Sequence, residues 1–177
     1  MPDSRILLVS SEEFRDESGY VGEWVQGGDK RQDSARNGVL AVDHADAVLI
    51  HDAARPFISS TLVHSLLSKL ESCDAVAPGI RVTDTIKRVI DTKVVETLDR
   101  NHLFRLQTPQ VIKYDVAVKA FTSLNPSQTY TDDLAVVEAM GGDVHIIEGD
   151  TANIKITHQS DITIASQLGS ERPSLSQ

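Results

Sequence analysis

The sequence predicts an α/β fold of the doubly wound type, with a mostly parallel sheet and one β-hairpin arm. Short apolar runs alternate with segments whose apolar residues recur at helical spacing, the pattern of strands separated by helices. One stretch, at about residues 82–100, instead has two short strands around a tight turn, which predicts the hairpin. The 177 residues suffice for one domain, assigned to residues 1–168, and the Ser- and Pro-rich residues 169–177 are expected to form a flexible tail.

Short apolar runs mark most strands of the predicted sheet, and Ala47–Ile50 is the clearest of them. An uninterrupted apolar run is typical of a strand that is buried on both faces of a sheet. The hairpin strands are expected at residues 85–90 and 94–98, on either side of a turn at 91–93. The other predicted strands are Ile6–Val9, Glu23–Val25, Ala75–Ala77, Gln107–Ile112, Val144–Ile147 and Ile154–Ile156.

Helices are predicted where apolar residues lie three or four positions apart. Ser59 or Ser60 can cap one of them, and Gly141 and Gly142 end another. Residues 11–23 are polar and mixed, and a loop is expected there. The predicted helices cover residues 31–42, 60–70, 114–121, 132–140 and 160–168.

The composition excludes several classes of protein. Acidic residues number 26 against 17 Lys and Arg, a net charge of −9 that disfavours nucleic acid as a partner. The single cysteine, Cys73, cannot form an internal disulfide, and the six histidines lack metal-ligand spacing. No apolar run has the roughly 18 residues of a membrane span, and the N-terminus lacks the apolar stretch of a secretory signal. A soluble cytoplasmic protein without a membrane partner is expected.

Ligands of open α/β sheets bind at the carboxyl ends of the strands, which directs attention to the loops at 27–34, 51–56 and 80–85. Gly27, Gly28 and Asp29, followed by Ser34 at the start of a predicted helix, could cradle a nucleotide. A plain turn before a helix has the same appearance, and the loop matches neither a Walker A nor a GxGxxG motif.

Charged residues near two other strand ends are candidates for phosphate and metal chemistry. Asp52 directly follows the clearest strand, where a carboxylate can meet Mg²⁺, and Arg55 offers a planar fork to a phosphate. Alternatively, Asp52 caps the turn and Arg55 is a solvated loop charge. Lys155 lies within a predicted apolar strand and could stabilise charge if it faces a polar cavity. No Gly-x-Ser-x-Gly elbow is present and Cys73 has no evident base, so acyl transfer by a nucleophile is not expected.

Seven short motifs, in order and spread over residues 6–168, together resemble the 2-C-methyl-D-erythritol 4-phosphate cytidylyltransferase family. The resemblance implies a Rossmann-like nucleotidyltransferase fold. It also implies a reaction that joins CTP and methylerythritol phosphate and releases pyrophosphate, in non-mevalonate isoprenoid biosynthesis. Ribitol-5-phosphate cytidylyltransferases share much of the pattern, and a non-catalytic remnant that dimerises or binds ligand is a further alternative. The motifs are Gly-Gly-Asp-x-Arg-x-Asp-Ser, His-Asp-Ala-Ala-Arg-Pro, Thr-Asp-Thr-Ile-Lys-Arg, Leu-Asp-Arg-Asn, Gln-Thr-Pro-Gln, Tyr-Thr-Asp-Asp and Asn-Ile-Lys-Ile-Thr.

The resemblance also implies roles for individual residues. Asp52 matches the aspartate associated with Mg²⁺ or another divalent cation, and Arg100 and Lys155 match the catalytic residues that hold the attacking phosphate. Thr85 and Arg100 lie on the arm, which in the family reaches across a homodimer. The CTP positions are Gly27, Gly28, Asp29, Ser34 and Ala53, and the polyol-phosphate positions are Arg55, Thr85, Thr108 and Thr131.

The sequence departs from the family pattern at its N-terminal end. Family members carry a strand, a Gly-x-Gly-x-Arg loop that wraps the CTP triphosphate, and a Pro-Lys pair before the region that matches Ile6–Val9. These motifs are absent from the 177 residues, so the first βα unit is expected to be missing and the 177-residue form to have little or no activity. Ala152 stands where some members have an aspartate near the metal, which predicts weaker metal binding.

Overall fold

The computed structural model describes residues 4–171 and confirms the α/β class. Within this range, no helix is both long enough and apolar enough to cross a membrane. The elements are β1 (Leu7–Ser10), α1 (Glu12–Ser18), β2 (Glu23–Gln26), α2 (Arg31–Leu40), β3 (Ala47–Ile50), α3 (Ser60–Leu70), β4 (Ala75–Arg81), β5 (Lys87–Ile90), β6 (Lys93–Thr97), a 3₁₀ turn (Arg100–His102), β7 (Phe104–Leu106), β8 (Gln110–Lys113), α4 (Tyr114–Thr122), α5 (Leu134–Glu138), β9 (Val144–Glu148) and α6 (Gln159–Glu171).

The main sheet has five strands and mixed pairing. β8 lies between β3 and β4 and is antiparallel to both, β7 is antiparallel to β4, and β9 is parallel to β4. The sheet is therefore mixed rather than mostly parallel. The reason is the hairpin: after it, the chain returns directly along β4 without a crossover helix, and a strand that returns directly runs antiparallel.

The first two strands form a separate sheet. β1 and β2 pair in parallel with each other, and no other described strand pairs with the outer edge of β1 or of β3. Helix α2 covers both sheets: a Cβ atom added at Gly38 would lie 2.8 Å from Val9 of β1, while Ala35 and Val39 pack into the cluster that contains Val48. α2 therefore ties the small sheet to the large one.

The core occupies both faces of the five-stranded sheet, as a doubly wound fold requires. Alternate residues of β4 point to opposite faces: Ala75 and Ala77 pack with α2, α4 and α5, and Val76 packs against α3. Helix α3 begins where the Ser59 hydroxyl accepts the backbone N–H of Leu62 at 3.2 Å. Leu66 of α3 is fully buried, which contributes about 1.5–3 kcal/mol.

The predicted hairpin is present as β5 and β6, joined by a turn in which Asp91 and Thr92 have φ of 44° and 71°. Positive φ at both central residues matches the twist of the flanking strands. Every residue of both strands is exposed, including four large apolar side chains, and an ion pair of 2.7 Å links Arg88 and Glu96. The exposed apolar residues are Val89, Ile90, Val94 and Val95.

Three local predictions were wrong. Residues 12–18 form helix α1 instead of a loop, capped by the Ser11 hydroxyl and ended by Gly19 at φ +66°. Residues 154–156 form no strand. Helix α6 continues to residue 171, so residues 169–171 are helical rather than part of the expected tail, and residues 172–177 lie outside the described range.

Candidate active site

A turn after β3 holds Asp52 at the carboxyl end of that strand. The backbone N–H of Asp52 donates to the Thr108 hydroxyl at 3.0 Å, and the backbone N–H of Arg55 donates to the Asp52 carbonyl at 2.9 Å. His51 Nε2 lies 3.0 Å from the Arg55 carbonyl, and Nδ1 lies 3.0 Å from Thr108 Oγ1. Because a carbonyl only accepts, we assign the proton to Nε2, and the Thr108 hydroxyl then donates to Nδ1. These bonds fix the position of the Asp52 side chain.

Three cations surround the Asp52 carboxylate. Lys155 Nζ lies 2.9 Å from Oδ2, Arg55 Nε lies 3.7 Å from the same oxygen, and Arg31 Nη2 lies 3.6 Å from Oδ1. The Asp52 side chain is 17% exposed. Burial alone would raise its pKa, but the Lys155 hydrogen bond and the nearby charges outweigh burial and hold the pKa below its usual value. Asp52 is therefore ionised at neutral pH.

Lys155 reaches Asp52 from an irregular segment that side chains hold in place. The backbone N–H of Ile156 donates to the Ala54 carbonyl at 2.8 Å, which fixes this segment beside the Asp52 turn. Asn153 is fully buried; its Nδ2 donates to the Thr108 carbonyl at 2.9 Å, and its own carbonyl accepts Arg55 Nη1 at 2.8 Å. These bonds hold the segment in place without the predicted strand.

Asp133, at the start of α5, forms a second part of the cluster. Arg31 donates to both of its carboxylate oxygens, at 2.9 and 2.6 Å, and the Asp133 side chain is 1% exposed. Burial raises the pKa of Asp133, and the pairing with Arg31 opposes that shift. Buried Gln110 supports the site, because its Oε1 accepts the backbone N–H of Asp133 at 2.8 Å and that of Leu134 at 3.1 Å.

The glycine loop lies at the start of α2, next to Arg31. The backbone N–H of Gly27 donates to the Ser10 carbonyl at 2.8 Å, and that of Gly28 donates to the Ser34 hydroxyl at 3.0 Å. A Cβ atom on Gly28 would lie only 2.4 Å from Cβ of Asp33, so the loop is packed closely on the first turn of the helix. Asp29 beside it is exposed.

The predicted site residues divide into four groups: the cluster, the two positions beside it, the glycine loop described above and the two arm residues. Asp52, Arg55 and Lys155 meet in one cluster. The Thr108 hydroxyl and Arg55 Nη1 are occupied by bonds within the protein, while the buried Arg55 Nε has no hydrogen-bond partner among the described residues. The exposed residues Ala53 and Thr131 flank the cluster in sequence, next to Asp52 and two positions before Asp133.

The two arm residues are not part of the cluster. Thr85 and Arg100 lie at the base of the hairpin and are exposed, and Arg100 donates to the Thr83 carbonyl. Within residues 4–171, no hydrogen bond or ion pair connects either residue to Asp52 or Lys155.

Sequence reasoning missed Arg31 and Asp133 as site residues. Both lie inside quoted motifs, Gly-Gly-Asp-x-Arg and Tyr-Thr-Asp-Asp, but they are 102 positions apart. An Arg and an Asp that each follow a polar loop give no signal that they pair. The signal that could have identified Arg31 and Asp133 was their position inside these two motifs.

Comparison with known proteins places this arrangement in a family. The family description of IspD, 2-C-methyl-D-erythritol 4-phosphate cytidylyltransferase, matches residues 5–169. The chain belongs to this family. The cytidylyltransferase family consists of enzymes. The match runs from β1 into α6 and includes the residues around Asp52, which are Arg31, Arg55, Asp133 and Lys155.

Individual relatives support the family assignment. The cytidylyltransferase of the same name from Caldicellulosiruptor bescii is 36% identical over 171 residues, covering 92% of this chain and 76% of that protein. The one from Clostridioides difficile is 41% identical over 144 residues, covering 80% of this chain and 61% of that protein. The crystal structure of the Thermus thermophilus cytidylyltransferase has a TM-score of 0.84 at 27% identity, covering 94% of this chain and 83% of that one.

The Asp52 cluster fits a divalent cation only as part of a metal–nucleotide complex. Mg²⁺ in nucleotide sites is usually held by one or two carboxylates together with phosphate oxygens and water. Asp52 supplies one carboxylate, and the one cation within 4 Å of its Oδ1 in the described part of the chain is Arg31, at 3.6 Å. Among residues 4–171, no group of three or more His, Cys, Asp or Glu side chains could hold a metal alone. Asp52 would therefore act as one ligand to a metal that arrives with the triphosphate.

Proposed function

We propose that this chain binds CTP and 2-C-methyl-D-erythritol 4-phosphate at the Asp52 cluster and takes part in their condensation. In that reaction a phosphate oxygen of the polyol forms a bond to the α-phosphorus of CTP. The bond from the α-phosphorus to the bridging oxygen breaks, and pyrophosphate leaves. Family membership supports the proposal, as do relatives that carry the name of this activity. The cytoplasm, where nucleoside triphosphates are available, is the proposed location.

The observation that carries the proposal is the position of Arg55 and Lys155 beside Asp52. Both lie within 4 Å of Asp52 Oδ2, whereas Arg31 is held by its two bonds to Asp133. The net charge of the protein is −9, but the charge within the local site decides whether phosphates bind, so this pair of cations can attract them.

Catalysis in such a site consists mainly of positioning and charge neutralisation. Lys155, 44% exposed, can exchange its ion pair with Asp52 for a contact with the polyol phosphate. Gly27, Gly28, Asp29 and Ser34, together with Ala53, are the proposed nucleotide contacts, and Thr131 is a proposed polyol contact. A divalent cation bound with the triphosphate would supply further charge neutralisation, and Asp52 would hold it.

The hairpin arm is proposed to form a homodimer and to bring Thr85 and Arg100 to the partner's site. Val89, Ile90, Val94 and Val95 expose 44–58% of their surface, which is costly for a strand pair that remains alone in water. Burying this surface against a second copy would remove the cost. It would also account for the distance between Arg100 and the Asp52 cluster within one chain.

Turnover is tested by a pyrophosphate-release assay with CTP, Mg²⁺ and the polyol phosphate. Pyrophosphate release that requires all three would support the proposed reaction, and release that does not depend on the polyol phosphate would contradict it.

Binding is tested separately from turnover. We expect Mg²⁺–CTP to shift the ¹⁵N-HSQC signals of Gly28, Asp29 and Ala53, and methylerythritol phosphate to shift those of Lys155 and Thr131. The D52N variant should respond less to Mg²⁺–CTP. Ribitol 5-phosphate serves as the competing polyol. Absence of shifts at millimolar ligand, with the spectrum of a folded protein, would reject the proposed function.

A further inference from the structure

Arg31 lies between two carboxylates and is shared unequally by them. Its Nη2 is 2.6 Å from Asp133 Oδ2 and 3.6 Å from Asp52 Oδ1, and only Asp133 also receives Nη1. The Asp52 contact is longer than a hydrogen bond. Arg31 is therefore held by Asp133, although a second carboxylate is within its reach.

Asp133 is a buried carboxylate, and packing alone does not require a charged side chain at this position. Its side chain is 1% exposed, and removing a carboxylate from water is expensive unless a partner compensates. Gln110 fixes the backbone of Asp133, while the neighbouring Asp132 is occupied by capping α5 through the backbone N–H of Ala135 at 2.8 Å. The chain thus holds a charged group at a position where an apolar residue would pack at lower cost.

The two oxygens of Asp52 are in different situations. Among the described residues, Lys155 at 2.9 Å and Arg55 Nε at 3.7 Å are the cations within 4 Å of Oδ2, whereas Arg31 at 3.6 Å is the one cation within 4 Å of Oδ1. If the pull of Asp133 were removed, Asp52 would be the nearest remaining carboxylate paired with Arg31, and the guanidinium would close on Oδ1. Both oxygens of Asp52 would then be covered by cations.

We infer that Asp133 is a positioning residue that draws Arg31 away from Asp52 and so keeps one Asp52 oxygen open for a divalent cation. The inference rests on the proposed function, in which Asp52 binds a metal together with CTP. It adds a role for Arg31 and Asp133: without touching the metal or the nucleotide, this pair sets the affinity of Asp52 for the cation.

The test measures Mn²⁺ affinity in the presence of CTP by the paramagnetic broadening of the amide signals of residues 52–54 in ¹⁵N-labelled protein. D133N keeps the shape of the side chain and removes its charge, so Arg31 should close on Asp52 and weaken Mn²⁺ binding by about tenfold or more. In the double variant R31Q/D133N no guanidinium remains to close. Its affinity should return to within about threefold of the unaltered protein, as a double-mutant cycle would show for a coupled pair.

R31Q alone provides a second measurement that does not depend on how well D133N folds. It should bind Mn²⁺ as tightly as the unaltered protein or more tightly, and the HSQC spectrum reports whether each variant is folded. A purely structural role for the pair would change thermal stability and leave the Mn²⁺ affinity of the folded variants unmoved.

The possible failures are distinguishable. If the unaltered protein binds Mn²⁺ near residues 52–54 and D133N binds it equally well, the positioning role is rejected and the metal role of Asp52 stands. Tenfold weaker binding by R31Q also rejects the inference, since Arg31 would then be helping Asp52. If the unaltered protein shows no broadening there, the metal role and the inference fail together.

Discussion

Replacing Gly28 with alanine would place a methyl group 2.4 Å from Cβ of Asp33 and 3.1 Å from its backbone carbonyl carbon. Carbon atoms attract each other best at about 3.5–4.0 Å, so the loop or the first turn of α2 must move by about 1 Å. Movement of the loop also endangers the bond from the Gly28 N–H to the Ser34 hydroxyl, now 3.0 Å long. The substitution therefore tests whether the glycine loop needs its close contact with α2.

The expected cost follows from two opposing terms. Overpacking of this kind costs about 1–3 kcal/mol. Alanine also restricts the unfolded chain, which stabilises the folded state by about 0.4–1 kcal/mol. The net result should be a free energy of unfolding about 1–2 kcal/mol lower than that of the unaltered protein, measured by urea denaturation. The CTP-induced shifts of the loop amides should decrease as well.

Gly27 provides the matched control in the same loop. Its added Cβ atom would lie 3.2 Å from the Ser34 hydroxyl, which can rotate, and 3.4 Å from the backbone carbon of Ser10. The G27A variant should therefore stay within about 0.5 kcal/mol of the unaltered protein. Equal stability of G28A and the unaltered protein, or an equal loss in G27A and G28A, would refute the argument from close packing.

Three further predictions concern other parts of the molecule. K155M should bind the polyol phosphate about 10- to 100-fold more weakly in a calorimetric titration. The control K69M, on α3, should bind it with unchanged affinity, and equal weakening in both variants would point to a general loss of charge. I90D should convert a dimer to a monomer in sedimentation experiments, whereas I164D on α6, also at an exposed isoleucine, should not; a dimer that persists in I90D would reject the arm as its interface. The backbone N–H groups of Thr157 and His158 lower the pKa of Asp161 from 3.8, so its stabilisation is present at neutral pH and disappears as the pH falls through that lowered value. D161N should be less stable than the unaltered protein at neutral pH and lose that difference in acid, and a difference independent of pH would contradict the assignment.

Local patterns predicted most of the fold. The apolar run Ala47–Ile50 predicted β3, and the spacing of the leucines predicted α3. In both elements a local apolar pattern is enough to indicate the buried face. Helix α1 was missed because none of its residues is buried; caps at both ends stabilise it instead of an apolar face. The direction of β8 depends on how the chain returns from the hairpin, which apolar spacing does not report.

The site was predicted where one loop carries its own chemistry, as at Asp52 and Arg55. Lys155 lies beside Asp52, and its catalytic role stays a prediction. The sequence pattern placed Lys155 in a strand because the bonds of buried Asn153 that shape its segment come from distant residues. The pair of Arg31 and Asp133 could not be predicted because its strength arises from burial and geometry that exist only in the folded chain.

The division of the strands into two sheets has a consequence for how the molecule opens. The small sheet contacts the rest of the protein chiefly through α2. Polar bonds join α2 to the main body: Arg31 pairs with Asp133, and Gln32 bonds the backbone of Gln128 and Tyr130. Because Val39 of α2 is buried in the main core, β1 and β2 are the part that can exchange its amide hydrogens while α2 and the α3 side stay folded. A molecule bound between the glycine loop and Asp52 would bridge this junction, and its affinity would include the energy of keeping the two parts closed.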